Sequence, residues 1–257
     1  MSNPYLDMKT VFLAPDPVEA ICNNRFLSFV VHELEGAEHP HYHAEGDAWE
    51  HTKLVINNIL NIPDHDWLDV LIALFHDVGK KLALHDNNFK NMAGHELYSV
   101  EFYNKWCCET NFNIPESLNE EVRWVILNHM KAHHLHEHRS TYDVMDMVTC
   151  PWFPRLARLT TADCLSTLEP DGTPHDNFDD ALKSPKVARW LGNPRPLPIV
   201  SAEDFAYECG VKYPLAYRCA EFGLKLQLNG NLTNPQHIKN GVLNDHEIKK
   251  LIAKQSI

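Results

Sequence analysis

The sequence predicts an all-α protein. Strand patterns are almost absent, whereas apolar residues spaced three and four apart recur from about residue 47 onward, as they do on the buried faces of helices. Hydrophobic residues make up 44% of the 257 residues, which is enough for one large core or for a core with a small appendage. We therefore expect a helical bundle with a buried interior.

The first well-defined helix is predicted to begin after Asp47. Residues 1–46 are irregular and contain several prolines, with room for one helix near residues 17–34. Asp47 is a suitable N-cap, and the apolar spacing that follows it predicts a helix that stops at Pro63.

The next helix is predicted to occupy the middle of the core. It begins at about Asp64, carries apolar residues on more than one face, and is expected to end at Gly79 as a C-terminal stop. The same spacing rules predict further helices at residues 95–109, 116–130, 142–148, 154–168 and 177–191.

Three prolines within residues 193–198 predict a stiff linker and a domain boundary. The helices of the tail that follows are expected to open at Ser201 and Asn244, each of which starts a pattern shaped like a capping box. The predicted segments are an N-terminal extension at residues 1–40, a main domain at 41–192 and a small helical tail at 193–257.

Charge and composition exclude several classes of function. The 23 basic and 35 acidic residues give a net charge of −12, so we expect no extended binding to duplex nucleic acid. No apolar stretch reaches the roughly 18 residues of a membrane span, and the first residues do not form a signal peptide, so we expect a cytoplasmic protein without membrane contact. The ten glycines form none of the common phosphate-binding loops. The sequence leaves open whether the protein forms a homo-oligomer.

Histidine is the unusual residue, with 17 in the chain, more than a core or a generic surface requires. The sharpest local signal is the pair His76-Asp77 at the end of the most apolar predicted helix. An unpaired buried carboxylate is strongly disfavoured, whereas a divalent cation would neutralise Asp77 and accept a lone pair from His76. The pair therefore indicates a metal site.

Further candidate ligands lie at or near the apolar stripes of other predicted helices. The complete predicted set is His51, His76, Asp77, His95, His129 and Asp163. Nitrogen and oxygen ligands without a thiolate suit Mn, Fe, Co, Ni or Mg better than a structural zinc. One or two ions are expected: two would use the whole set with Asp77 as a bridge, and one would use mainly His51, His76, Asp77 and Asp163.

The order His51, His76-Asp77, Asp163 resembles that of the HD-domain phosphohydrolase superfamily, an all-helical and metal-dependent fold. Lys80 matches the lysine that often follows the His-Asp pair in that family. The resemblance implies an enzyme, with Asp77 and Lys80 as catalytic residues and Lys80 stabilising charge on the phosphate.

The likeness is closer to the HD domain of bacterial CCA-adding enzymes, the tRNA nucleotidyltransferases. It is carried by Tyr42-His43-Ala44-Glu45-Gly46-Asp47-Ala48-Trp49-Glu50-His51-Thr52, by Gly94-His95-Glu96 and by Leu159-Thr160-Thr161-Ala162-Asp163. Residues 198–214 and 227–230 are more weakly similar to the tail of the same enzymes. Their nucleotidyltransferase head is not in this chain, so addition of CTP and ATP to tRNA is not predicted.

The resemblance implies hydrolysis of a nucleotide or RNA-end phosphate by a metal-activated water. The implied activities are those of a 2′,3′-cyclic phosphodiesterase, a 2′-nucleotidase or a phosphatase. Three alternatives stay open at this point: an HD-fold di-iron oxygenase, a hydrolase of nucleoside 5′-phosphates or triphosphates, and a non-catalytic adaptor. Buried ligands at every position speak against the adaptor, which would have no use for them.

Substrate contacts are predicted from residues near the ligands. The candidates are Lys80, His43, His133, His134 and Arg123. For the histidines the competing interpretation is a solvated loop, for Lys80 it is a solvated lysine beside Lys81, and for Arg123 it is a surface salt bridge. A nucleobase is expected to stack on an aromatic ring such as Trp49 or Tyr42.

Overall fold

The computed structural model describes residues 4–38, 46–138, 140–174 and 178–255. This part of the chain is helical and contains no strand, apart from an isolated antiparallel bridge between Leu168 and Pro174. The predicted all-α fold class is confirmed. Within the same residues, no helix combines the length and the apolar character that crossing a bilayer requires.

The chain divides into two compact units. Unit 1 consists of Met1–Leu135 and Pro151–Lys183, and unit 2 consists of His136–Cys150 and Ser184–Ile257. The bounds of these units differ from those of the three predicted segments. The N-terminal helices belong to unit 1 together with the main helices, and residues 136–150 belong to unit 2 together with the tail.

Unit 1 is built around one helix that is buried on all sides. Its helices are α1 (Pro4–Phe12), α2 (Pro17–Cys22), α3 (Ser28–Leu34), α4 (Ala48–Leu60), α5 (Trp67–Phe75), α6 (Lys80–Asp86), α7 (His95–Thr110), α8 (Glu116–His133), α10 (Phe153–Ser166) and α11 (Phe178–Lys183). Every residue of α5 is buried. Helix α5 packs against α4, α7, α8 and α10, so the predicted position of this helix in the core is confirmed.

Unit 2 is a smaller helical body with its own core. Its helices are α9 (Thr141–Val148), α12 (Pro185–Ala188), α13 (Ala202–Cys209), α14 (Leu215–Gly230), α15 (Pro235–Asn244) and α16 (His246–Lys254). Its core contains Phe205, Val211, Ala216, Ile238 and Val242. Helix α14 is central, because α9, α13, α15 and α16 all pack on it.

The helices of the first 34 residues were not expected in this form. Instead of an irregular segment with one helix near residues 17–34, the structure has α1, α2 and α3. Helix α2 has the ordinary signals of a helix start, with Asp16 as N-cap and Pro17 in the first turn. These helices have six to nine residues, and segments this short give weak periodicity and depend on tertiary packing.

Two of the predicted helix N-caps are found at the expected residues, and a third lies one residue further along the chain. Asp47 caps α4 by accepting hydrogen bonds from the N–H groups of Trp49 and Glu50. Ser201 forms a capping box at the start of α13. In the last helix the cap is Asp245 rather than Asn244, because the carboxylate of Asp245 accepts from two N–H groups of the first turn.

The predicted helix over residues 177–191 is interrupted. The structure has α11 and α12 instead, and the break falls at Ser184, just before Pro185. A residue that precedes proline is pushed out of the helical region, and proline itself fits the first turn of a new helix. The dipeptide therefore explains the break.

Helix α5 does not end on a glycine stop. It ends at Phe75 with His76 as its C-cap, and α6 begins at Lys80 after one turn. Gly79 has a φ of −79°, which any residue can adopt, so a left-handed cap is not its role. A Cβ atom at this position would instead lie 2.4 Å from the carbonyl oxygen of His95 and 2.5 Å from the backbone nitrogen of Ser99. Gly79 is needed because the backbone of α7 lies against it.

Two arginines of α10 hold that helix to the start of α5. Arg155 forms ion pairs with Asp66 at 2.9 Å, Asp69 at 2.7 Å and Glu121 at 2.7 Å, and Arg158 pairs with Asp69 at 3.1 Å. The carboxylate of Asp69 is buried, so these partners compensate for its removal from water. This arrangement fixes α10, which carries Asp163, relative to α5, the helix that leads into the turn with Asp77.

Replacing Gly79 by alanine is expected to destabilise unit 1. The added methyl group would meet backbone atoms of α7, which cannot rotate away, so either α6 or α7 must shift. We expect the free energy of unfolding, measured with a chemical denaturant, to fall by about 1–3 kcal/mol.

Gly230→Ala is the matched control. Its Cβ atom would lie 3.4 Å from Leu232, an ordinary contact, so we expect a change of less than about 0.5 kcal/mol or a slight gain. Equal stability of the Gly79→Ala variant and the unaltered protein would contradict the close approach described here.

Candidate metal centre

Seven polar side chains from five parts of unit 1 meet at the inner end of α5. They are His51 from α4, His76 and Asp77 from the turn after α5, His95 from the first position of α7, His129 and His133 from α8, and Asp163 from α10. The six predicted ligands are all buried, and His133 is nearly so. Because α5 is buried along its whole length, the residues of the turn that ends it are also inside the unit.

The six predicted ligands form two groups. His51, His76 and Asp163 make up the first group, and Asp77, His95 and His129 make up the second. In each group, one nitrogen or oxygen atom per residue lies within 4.8 Å of the others. Two buried clusters with this spacing could each hold a metal ion.

Asp77 is a member of the second group and also faces the first. Its Oδ2 is 3.2 Å from Nε2 of His76 and 3.8 Å from Nε2 of His51, in the first group. Its Oδ1 is 3.0 Å from Nε2 of His95 and 3.8 Å from Nε2 of His129, in the second group. One carboxylate oxygen therefore faces each group, so Asp77 could serve both.

Three of the histidines are held with Nε2 directed into the site. In His76, His95 and His129, Nδ1 lies 2.8, 3.0 and 2.6 Å from the backbone carbonyl of the third residue before each. A carbonyl oxygen only accepts, so Nδ1–H must be the donor, and a neutral ring then carries its lone pair on Nε2. Carbonyl partners of this kind orient histidines that bind metal ions.

These lone pairs face other acceptors and not donors. The Nε2 atoms of His95 and His129 are 3.1 Å apart, and each ring already donates through Nδ1. Nε2 of His76 is buried and has no hydrogen-bond partner within the described part of the chain. Acceptors that point at one another in a buried site are unfavourable unless a cation lies between them. The donor set therefore fits a divalent cation in each group.

The electrostatics of Asp77 favour its ionised form. Burial alone would raise the pKa of its carboxyl group, but neighbouring side chains, the ammonium group of Lys80 among them, outweigh burial and hold that pKa well below its usual range. The pKa of His129 is shifted well below its usual value by burial and by the neighbouring His95 and His76. A carboxylate and a neutral imidazole are the protonation states that bind metal ions.

Asp163 is shared between His51 and His133. Its Oδ1 lies 2.8 Å from Nε2 of His51, and its Oδ2 lies 2.8 Å from Nε2 of His133. Burial disfavours the charged forms of both Asp163 and His133, but the attraction between these two side chains outweighs burial. This attraction raises the pKa of His133 well above its usual value and holds the pKa of Asp163 well below its usual value. Nδ1 of His133 also contacts the thiol of Cys164, 3.4 Å away.

Five of the six predicted ligands, all except His76, are among the described residues that line a cavity of about 540 Å³. Lys80, the first residue of α6, lines the cavity, and its Nζ lies 2.6 Å from Oδ2 of Asp77. Among the described lining residues, Lys80 is the only lysine or arginine. The remaining lining includes the apolar or weakly polar side chains of Met92, Ala93, Met130 and Cys164. The cavity thus places one ammonium group beside the bridging carboxylate.

The predicted substrate contacts have different outcomes. Lys80, His133 and His134 line the cavity. Arg123 is not in the described lining: its guanidinium group pairs with Glu116 on the same helix, which is the competing interpretation given for it. His43 lies outside the described residues.

Neither aromatic ring suggested for base stacking is among the described residues that line the cavity. Trp49 is buried in the core and does not line the cavity, because it faces the interior of unit 1 from α4. Tyr42 lies outside the described residues. No tryptophan, tyrosine or phenylalanine is among the described residues that line the cavity.

Three residues of the site were not assigned these roles from the sequence: His133 as the partner of Asp163, Cys164 as the partner of His133, and Glu96 in the cavity lining. The spacing of His129 and His133 could have indicated the first role, because residues four apart lie on one face of a helix. Cys164 and Glu96 each follow a predicted ligand directly, but adjacency along a helix does not place two side chains on the same face.

The chain matches none of the known family models, curated proteins or solved structures with which it was compared.

Proposed function

We propose that this chain is a metal-dependent phosphohydrolase that acts on a single phosphate group of a nucleotide or an RNA end. The observation that carries the proposal is the position of Asp77, with one oxygen toward each of two buried donor groups and Lys80 2.6 Å away at the cavity. Two cations held by a shared carboxylate beside an ammonium group suit a substrate that carries concentrated negative charge.

The residues that would hold the cations are those of the two groups, with Asp77 shared. His51, His76 and Asp163 serve one ion, and His95 and His129 serve the other. Bound divalent ions supply the chemistry by lowering the pKa of a coordinated water and by neutralising phosphoryl oxygens. The orientation of the imidazoles is set in advance by the backbone carbonyls that accept from Nδ1, so little rearrangement is needed.

Lys80 acts on the substrate. Its ammonium group lies at the cavity surface, with 12% of the side chain exposed, and is held in place by the ion pair with Asp77. A fixed ammonium group there stabilises negative charge on the phosphate or on the leaving oxygen more than a mobile one would. Asp77 therefore has two tasks, as a ligand shared by the two groups and as the anchor of Lys80.

The cavity favours one phosphate over an extended nucleic acid. Binding of several backbone phosphates requires a matching number of basic groups. Lys80 is the only lysine or arginine of the described lining, and the whole chain has a net charge of −12. A nucleotide, or the terminal phosphate or 2′,3′-cyclic phosphate of an RNA, is consistent with this charge.

Metal binding is the first test. The unaltered chain is expected to bind about two divalent ions, measured by elemental analysis after loading with Mn²⁺ or Co²⁺. Asp77→Asn keeps the shape of the side chain but removes the charge that both groups share, so we expect most of the metal to be lost. Asp180→Asn is the control, because Asp180 is exposed in unit 1 and should leave the metal content unchanged. Full metal content in Asp77→Asn would contradict the site.

His95→Ala tests whether there are two separate ion sites. His95 belongs to the second group only, so we expect this variant to keep about one ion per chain. His51→Ala should likewise keep about one, because His51 belongs to the first group. A ratio of one ion per chain already in the unaltered protein would instead support a mononuclear centre.

The third test concerns the reaction. We expect hydrolysis of p-nitrophenyl phosphate and of 2′,3′-cyclic nucleotides under anaerobic conditions with Mn²⁺, Co²⁺, Ni²⁺ or Mg²⁺. Lys80→Gln should lower kcat/KM by about 10²-fold, as removal of a group that stabilises developing charge does in other enzymes. Lys81→Gln is the control: Lys81 donates to the carbonyl of His32 and is not part of the cavity.

The same experiment separates the proposal from an oxygenase, which would also fit a set of histidines and aspartates. Turnover that requires both iron and dioxygen would overturn the hydrolase and support the oxygenase. Comparable losses in Lys80→Gln and Lys81→Gln would show that Lys80 has no specific part in the reaction.

A further inference from the structure

Glu96 is a carboxylate in the cavity lining that the proposed mechanism does not use. It is the second residue of α7, directly after the ligand His95, and it is half-buried. Within the described part of the chain, it forms neither an ion pair nor a hydrogen bond through its side chain. A negative charge without a basic partner thus faces the space that a substrate would occupy.

The basic side chains Lys80 and His133 of the cavity are already paired with aspartates. Nζ of Lys80 lies 2.6 Å from Oδ2 of Asp77, and Nε2 of His133 lies 2.8 Å from Oδ2 of Asp163. Glu96 is a carboxylate of the described lining that has no such partner. A substrate with a further anionic group would therefore meet the unpaired carboxylate of Glu96.

The uncharged part of the lining is adaptable but unspecific. Met92, Met130, Ala93 and Cys164 offer apolar or weakly polar contacts, and the described lining contains no aromatic ring on which a base could stack. Methionine side chains adjust to irregular shapes and are common on surfaces that accept several partners. We therefore expect the cavity to select substrates by their charge and size more than by the shape of one organic group.

We propose that Glu96 makes the site selective for a single phosphate group attached to a compact, uncharged organic moiety, and that it discriminates against ligands with a second anionic group, which narrows the proposed substrates from RNA ends to mononucleotides. This inference rests on the proposed function in so far as the loaded site must bind a phosphate-like anion. The source of the discrimination is repulsion between two negative charges within a cavity of about 540 Å³.

A different role for Glu96 is available and must be separated from this one. An acidic residue in the first turn stabilises a helix through the helix dipole, and Glu96 lies in the first turn of α7. Glu96→Gln would lower the melting temperature slightly whether or not Glu96 also discriminates between ligands. Only the discriminating role predicts a change in the relative affinity for two ligands that differ in charge alone.

The experiment uses two phosphonates that cannot be hydrolysed and have nearly the same shape. The full chain, loaded with Mn²⁺, is titrated calorimetrically with 4-carbamoylphenylphosphonate and with 4-carboxyphenylphosphonate. We expect the uncharged amide to bind more tightly to the unaltered protein. In Glu96→Gln this preference should shrink by about three- to tenfold, the effect of removing one nearby charge in a partly screened site.

Glu101→Gln is the matched control, because Glu101 lies on the same helix, is exposed and is not in the cavity lining. Its preference between the two phosphonates should equal that of the unaltered protein. An unchanged preference in Glu96→Gln would overturn the inference, and so would failure of the loaded protein to bind either phosphonate.

The outcomes also separate this inference from the proposed function. If the preference changes in Glu96→Gln but no phosphate ester is hydrolysed, the charge selection stands and the hydrolase is wrong. If phosphate esters are hydrolysed and the preference does not change, the hydrolase stands and the role of Glu96 is wrong.

Discussion

The carboxylate of Asp77 is the group on which the rest of unit 1 depends, because it is buried among imidazoles at the end of a wholly buried helix. Removing an ionised carboxylate from water costs several kcal/mol unless opposite charge replaces the lost hydration. Lys80 supplies part of that charge, at 2.6 Å from Oδ2. The Nε2 lone pairs of His76, His95 and His129 point toward Asp77 as acceptors and donate no hydrogen bond to it. A bound cation is the simplest source of the remaining positive charge that the buried carboxylate needs.

The scaffold fixes the distances that such a site requires before any ligand is considered. Arg155 and Arg158 join α10, which carries Asp163, to Asp69 on α5, the helix that leads to Asp77. On the other side, Gly79 lets the backbone of α7 approach closely, and its N–H donates to Oγ of Ser99 at 2.9 Å. The first ligand group thus depends on a salt-bridge network and the second on a close backbone contact.

The ligands were predictable because each is an anomaly in a local pattern, a polar residue on an otherwise apolar stripe. The six expected ligands do come together, and the all-α class follows from periodicity. The role of Gly79 and the pair of His133 with Asp163 depend on contacts between distant segments. The packing of α9 within unit 2 could not be predicted from the sequence either, because a helical pattern shows that a face is buried but not which residues cover it.

The orientation of the imidazoles bears on which cations the site would accept. In His76, His95 and His129 the partner of Nδ1 is a carbonyl three residues earlier, so the local chain sets the direction of Nε2 whether or not a cation is bound. The type of donor atom therefore determines which cations the site would prefer. The two groups offer imidazole nitrogen and carboxylate oxygen, and the nearest thiol, Cys164, contacts His133. Such donors match hard to borderline divalent ions and give thiophilic metals no advantage.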